Sequence, residues 1–271
     1  MSIEFGGSDC GEVLPLPAVT SIADAAVGST NIAAGSYISI YGTSLSDPLA
    51  VGNNTFYGGD APTFLPYPMN LDGVTVSFDV PGAYNGTPAD YNGFPGYFTF
   101  VSQAGTQLNV QIPWELQGAS SALVKVTVDG VVDSNVLTIP LATYAPQLFQ
   151  NAGIAAAIDA TTYAASPAAI SATNPAHAGD VVELYGNGLG PVNNQPASGA
   201  PWSSGALPST KSPCTVTVGG VNAPVSYCGL AGYPAEYQIN ITVPAGLASG
   251  NQPVVLSTGG VSSKAANLPI K

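Results

Sequence analysis

Arginine is absent from this chain, and lysine occurs only at Lys125, Lys211, Lys264 and Lys271. Charged residues make up 7% of the 271 positions, against about 25% in an ordinary soluble domain. A phosphate backbone is gripped by clustered cations, and there are none here to cluster, so no nucleic-acid partner is expected. Histidine occurs once, at His177. A Ser-His-Asp system would have to use it, yet it sits in a Pro-Ala-His-Ala-Gly loop, and no Gly-x-Ser-x-Gly elbow exists. Long apolar runs are missing too: no 18 consecutive apolar residues occur, so no membrane insertion is expected. Helical periodicity is nearly absent. Ala155–Asp159 and Pro167–Ile170 are too short and too interrupted to form helices.

What is present is apolar, uncharged and heavily punctuated. Hydrophobic residues make up 45% of the chain, and mean hydropathy is +0.26. Cores can therefore be built, and the composition is not that of a disordered chain. Sixteen acidic residues leave a net charge of -12. The surface must be mostly Ser, Thr, Asn, Gln and Gly, which suits an acidic extracellular setting or packing against copies of the same chain. The 24 Pro and 32 Gly fall in short groups, the pattern of many turns between short strands.

The chain repeats itself. Asn174–Pro191 contains Gly179, Tyr185, Gly186 and Leu189; Asn31–Leu45 contains Gly35, Tyr41, Gly42 and Leu45, each 144 positions earlier. Later landmarks, Asn109–Pro113 with Asn240–Pro244 and Gly130 with Gly260, lie about 130 apart, because insertions are distributed differently in the two copies. Such a shared register indicates a duplicated unit. Alternating apolar runs such as Tyr37–Tyr41, Val74–Phe78, Leu123–Val128, Val181–Tyr185 and Tyr237–Val243 predict strands. Asp129-Gly130, Gly219-Gly220 and Gly259-Gly260 predict tight hairpins. The expected fold is all-β, two tandem immunoglobulin-like β-sandwiches. The expected divisions are an N-terminal extended segment (1–18), a first domain with two long loop insertions (19–143) and a second domain (144–271). The N-terminal segment is either a loose tail or a strand that adds to a neighbouring sheet. It has no basic or apolar stretch, so a signal peptide is expected to have been removed.

The motifs at 174–191, Val218–Val225 (Val-Gly-Gly-Val-x-Ala-Pro-Val), Tyr237–Gly246 and Gly259–Ser263 resemble an uncharacterised C-terminal domain family of large secreted acidobacterial proteins. Each half also resembles the IPT/TIG branch of the immunoglobulin-like fold. The resemblance implies secretion, a pair of β-sandwiches and a non-catalytic role. It supplies no site residues.

Chemistry-bearing groups are few. Cys214 and Cys228 flank the Gly219-Gly220 hairpin asymmetrically and form a disulfide candidate, provided a bulge or bend follows Tyr227; the alternative is two buried thiols. Cys10 is left over, as a free thiol or an intermolecular one. Asp47, Asp60, Asp72 and Asp90 lie in or beside the two long loops, where a hard cation or plain solvent is the alternative environment. Glu115, Glu183 and Glu236 lie in ordinary strand-edge or loop contexts, with no evident catalytic pair. No cofactor or metal site is expected. The aromatic residues Phe56, Tyr57, Phe64, Tyr67, Tyr84, Tyr91, Phe94 and Tyr97 concentrate in the insertions. They are candidates for contact with a partner or for a local mini-core. The functional expectation is a non-enzymatic extracellular or cell-surface protein, structural or adhesive. It acts on copies of itself or another surface protein and plausibly forms a filament or layer. The alternative is a carbohydrate- or surface-binding accessory module.

Overall fold

A computed structural model describes residues 15–51, 58–80, 93–161 and 168–271. The chain is all-β, built from antiparallel sheets, with a 3-10 turn at Trp114–Leu116. The N-terminal half forms two sheets. One orders the strands Ala18–Asp24, Tyr37–Thr43, Gln107–Gln111, Tyr97–Ser102 and Gly59–Asp60. The other centres on Ser121–Val128 and Val74–Asp79. The C-terminal half repeats the plan. Gln147–Leu148, Val181–Asn187, Tyr237–Thr242 and Val225–Leu230 form one sheet, and Ala266–Ile270, Gly250–Thr258 and Cys214–Val218 lie at the heart of the other.

Alternation decides which faces pack. Along Val74–Asp79 and Ser121–Val128 every second residue is buried, as period-two side-chain geometry requires. Ile38, Ile40, Val76, Phe78, Phe98, Leu108 and Val124 form part of one core. Leu184, Val216, Ile239, Ile241, Leu256 and Leu268 form part of another.

The duplication is visible in strand register. Tyr41 pairs with Gln107 and Ser39 with Asn109; Tyr185 pairs with Gln238 and Glu183 with Asn240. The Gln107 amide donates to Asn109 Oδ1 at 2.9 Å, and the Gln238 amide to Asn240 Oδ1 at 2.9 Å. Gly42 and Gly186 each lie against the leucine three residues on. A Cβ would come within 3.1 Å of Leu45 Cδ1 or 3.2 Å of Leu189 Cδ1, and both leucines are fully buried.

The three predicted hairpin dipeptides all have both residues at positive φ, the backbone of the turn that matches strand twist. Asp72-Gly73 does the same, joining Leu71 to Val74. The run Ala223–Tyr227 is divided between two strands. Val221–Ala223 stays with the hairpin, and after Pro224 the chain crosses to the opposite sheet as Val225–Leu230, with an irregularity between Val225 and Tyr227. Proline has no N–H to continue the ladder, so the break falls there. The Cys214–Cys228 disulfide is formed, and because of that crossover it staples the two sheets of the C-terminal half together rather than closing one hairpin.

Candidate functional site

The two halves are joined by side chains that reach from one into the other's backbone. Asn187, at the end of its strand, accepts from Tyr37 N at 2.9 Å and donates to Tyr37 O at 2.9 Å. Asn187 is buried, so it completes a strand end that would otherwise leave a donor and an acceptor dry. Gln111, also buried, accepts from Gly199 N at 2.9 Å. Ser198 Oγ accepts from Trp114 N at 2.8 Å and donates to Glu115 at 2.7 Å. Tyr67 N donates to Gly199 O at 2.8 Å.

Apolar contacts accompany these bonds. Trp114 belongs to the N-terminal half in sequence but packs into the C-terminal core. Its ring lies on Gly35, where an added Cβ would sit 1.9 Å from Cζ3. Tyr97 covers Gly199 in the same manner, at 2.2 Å. Each net hydrogen bond is worth about 0.5–1.5 kcal/mol, so this set favours one fixed arrangement of the halves.

Beside this junction lies an open cleft of about 340 Å³. The N-terminal half contributes Tyr37, Tyr67, Thr99 and Asn109; the C-terminal half contributes Phe149, Tyr233 and Glu236. The rings of Tyr37 and Tyr67 meet edge-on at 6.4 Å, 63° apart, and Phe149 is tilted 47° to Tyr37 at 6.4 Å. They form walls at angles to one another rather than one flat platform. The Tyr37 hydroxyl is buried and has no partner in hydrogen-bond geometry, although the Tyr67 phenol is near enough to influence its ionisation. Burial, reinforced by Tyr67, Glu236 and Tyr233, pushes the Tyr37 phenol well above its usual range.

Glu236 is held by the loop before strand Tyr237–Thr242. Its N donates to Tyr233 O and its O accepts from Ala231 N, both at 3.3 Å. Ala235, fully buried, has φ +59, an uncommon conformation for a residue with a Cβ that costs about 1–2 kcal/mol. Among the described residues no hydrogen bond to the Glu236 carboxylate is found. Desolvation pushes its pKa up to about 7. Tyr233 stands on the rim, 57% exposed.

The sequence candidates are dispersed. Tyr67 lines the cleft, and Tyr97 lies in the junction. Phe64 and Phe94 are exposed at the surface. Phe56, Tyr57, Tyr84, Tyr91, Asp90 and Cys10 lie outside the described residues. Asp47 and Asp60 each accept a backbone N–H from their own turn, Leu49 N and Ala61 N, both at 2.8 Å, and Asp72 is a hairpin-turn residue. Among the described residues no three His, Cys, Asp or Glu side chains converge on a point. His177 pairs with the neighbouring Asp180 in an exposed loop, Nδ1 to Oδ2 3.4 Å.

Glu236 departs from the ordinary loop context expected for it. Tyr37, Tyr233 and Phe149 also escaped notice, because they converge only when the halves dock. The one local signal was a carboxylate in Tyr233-Pro-Ala-Glu236, with no cation nearby in sequence. No protein-family model and no curated protein matches the chain.

Proposed function

We propose that this is a non-enzymatic extracellular structural or adhesive protein. It consists of two immunoglobulin-like domains of IPT/TIG type meeting near residue 144, and it works through contacts with copies of itself or another surface protein. The observation that carries the reading is the junction: Asn187, Gln111 and Ser198 hold two sandwiches in one orientation. A fixed pair with unlike ends is the form of subunit that stacks head to tail, and open filaments follow when the rotation does not close. Charged residues are only 7% of the chain, which supports it, since a contact between copies can form while burying few charged groups. The Cys214–Cys228 bond is compatible with an oxidising, extracellular setting. Among the described residues no helix is long and apolar enough to cross a membrane.

The test is mass against concentration by light scattering, together with electron microscopy of purified protein. Growth into filaments or layers is the expected result. A concentration-independent monomer overturns it.

The exposed rings of Phe64 and Phe94 favour a second reading, an accessory module that binds carbohydrate or another surface. Co-sedimentation of a monomer with insoluble polysaccharide, lost in a Phe64→Ala, Phe94→Ala double variant, would select it over assembly.

A further inference from the structure

We propose that the cleft between the halves is a binding site for an organic cation, an alkylated or quaternary ammonium group, walled by Tyr37, Tyr67, Phe149 and Tyr233 with Glu236 as its counter-ion. Four independent features converge on this chemistry. The rings of Tyr37, Tyr67 and Phe149 meet at steep angles beside the open cleft, so ring faces of more than one orientation border it and can contact a compact cation. A flat sugar face would instead need one planar platform. The carboxylate at the cleft wall has no hydrogen-bonding partner among the described residues, and no Lys, Arg or His lines the cleft. The buried Tyr37 oxygen likewise lacks a partner in hydrogen-bond geometry. The whole chain carries -12, a field that concentrates cations.

Desolvation without a compensating positive charge is what holds Glu236 partly protonated near neutrality. A bound cation supplies that charge, so binding expels the remaining proton. The groups facing Glu236 are the phenols of Tyr37, Tyr67 and Tyr233, and burial raises the first two above their usual range. Glu236 is therefore the group that sets the pH response. With a pKa of about 7, ionisation rises from roughly a tenth at pH 6 to nine-tenths at pH 8, and affinity should rise roughly tenfold.

The same chemistry arises in a free quaternary amine and in a lysine side chain of another protein, and the probes separate them. Tetramethylammonium chloride and n-butylammonium chloride are titrated into the full chain at pH 6 and pH 8. Potassium chloride at equal concentration and cellobiose serve as comparisons. Binding is followed by NMR of the aromatic resonances. The expected result is saturable binding of an ammonium probe, tighter at pH 8 and weakened at least fivefold in Glu236→Gln and in Tyr233→Ala. Glu236→Gln is nearly isosteric and Tyr233 is on the rim, so both variants should keep the wild-type spectrum elsewhere. Preference for tetramethylammonium points to a quaternary amine, and preference for butylammonium to a lysine-type group. Saturation by cellobiose alone, or ammonium binding that is flat with pH and unchanged in Glu236→Gln, overturns the proposal. The titration needs no assembly, so its outcome is independent of whether the protein forms filaments.

Discussion

The two halves of this chain have the same skeleton and put it to different uses. Positions shared between them serve the sandwich itself. Gly42 and Gly186 make room for Leu45 and Leu189. Ser134 and Ser263 occupy equivalent places, accepting from Val126 N at 3.0 Å and Leu256 N at 3.1 Å. Positions that differ serve everything else. Asn187, which locks onto Tyr37, stands where the first copy has the exposed Thr43. Gly35 lies beneath Trp114, but its twin Gly179 faces open space. The hairpin loop of the first copy, Gln103–Thr106, has no carboxylate corresponding to Glu236. The positions the halves share lie within each half's own packing, and the positions that differ lie where the halves face each other.

The sharpest way to test that division is the glycine pair. Gly35 and Gly179 have φ of +81 and +91, so alanine should strain both backbones by about 1–2 kcal/mol. Only Gly35→Ala also collides with the Trp114 ring, and overpacking adds about 1–3 kcal/mol. Urea unfolding should therefore show Gly35→Ala as the more destabilised variant by that margin. Equal losses would mean that Trp114 moves aside freely and that the junction is loosely packed.

The disulfide tests the comparison from the other side. It closes a segment with a sequence separation of 14, and removing such a loop constraint costs about 3 kcal/mol. In a Cys214→Ser, Cys228→Ser double variant the loss should fall on the C-terminal half. Hydrogen exchange should then speed up in Val181–Asn187 and Tyr237–Thr242 more than in Tyr37–Thr43. Uniform acceleration would show that the halves unfold as one unit.

A smaller effect is expected at the lock. Asn187→Leu leaves Tyr37 N and O without partners and should cost about 2 kcal/mol. Thr43→Ala, at the equivalent exposed position, should stay within about 0.5 kcal/mol.

The smallest effect belongs to Glu236, and its sign is distinctive. Its folded pKa, about 7, exceeds its ordinary 4.5, so the folded state holds the proton more tightly than the unfolded state. The favourable contribution is complete below about 4.5 and is lost as pH rises through 7. Glu236→Gln should remove that slope and, allowing for partial solvent screening, stabilise the protein at pH 8 by about 1 kcal/mol. Thermal melts of both proteins at pH 4 and pH 8 would measure it. A wild-type stability that climbs between pH 5 and pH 7 would mean other carboxylates dominate the window.

Much of the architecture was legible because its causes are local. Period-two alternation marks Val74–Phe78 and Leu123–Val128 as strands, and Asp129-Gly130 selects its own turn. The disulfide was legible as a pairing but not as a link between sheets, because the sheet change at Pro224 depends on what the opposite layer offers. The cleft was the least legible part. Its aromatic residues do not follow the insertion-loop cluster from which contact residues were expected; only Tyr67 belongs to both.

The amino-acid sequence by itself determined that this chain is built of strands, where many of them turn, and that one unit occurs twice, since alternation, turn residues and spacing act over a few neighbouring positions. Tertiary structure alone decided that Trp114 leaves its own half to pack in the other, and that Tyr37, Phe149 and Glu236 meet. Those residues lie up to 199 positions apart, and only the docking of two filled cores brings them within reach, burying the carboxylate and raising its pKa.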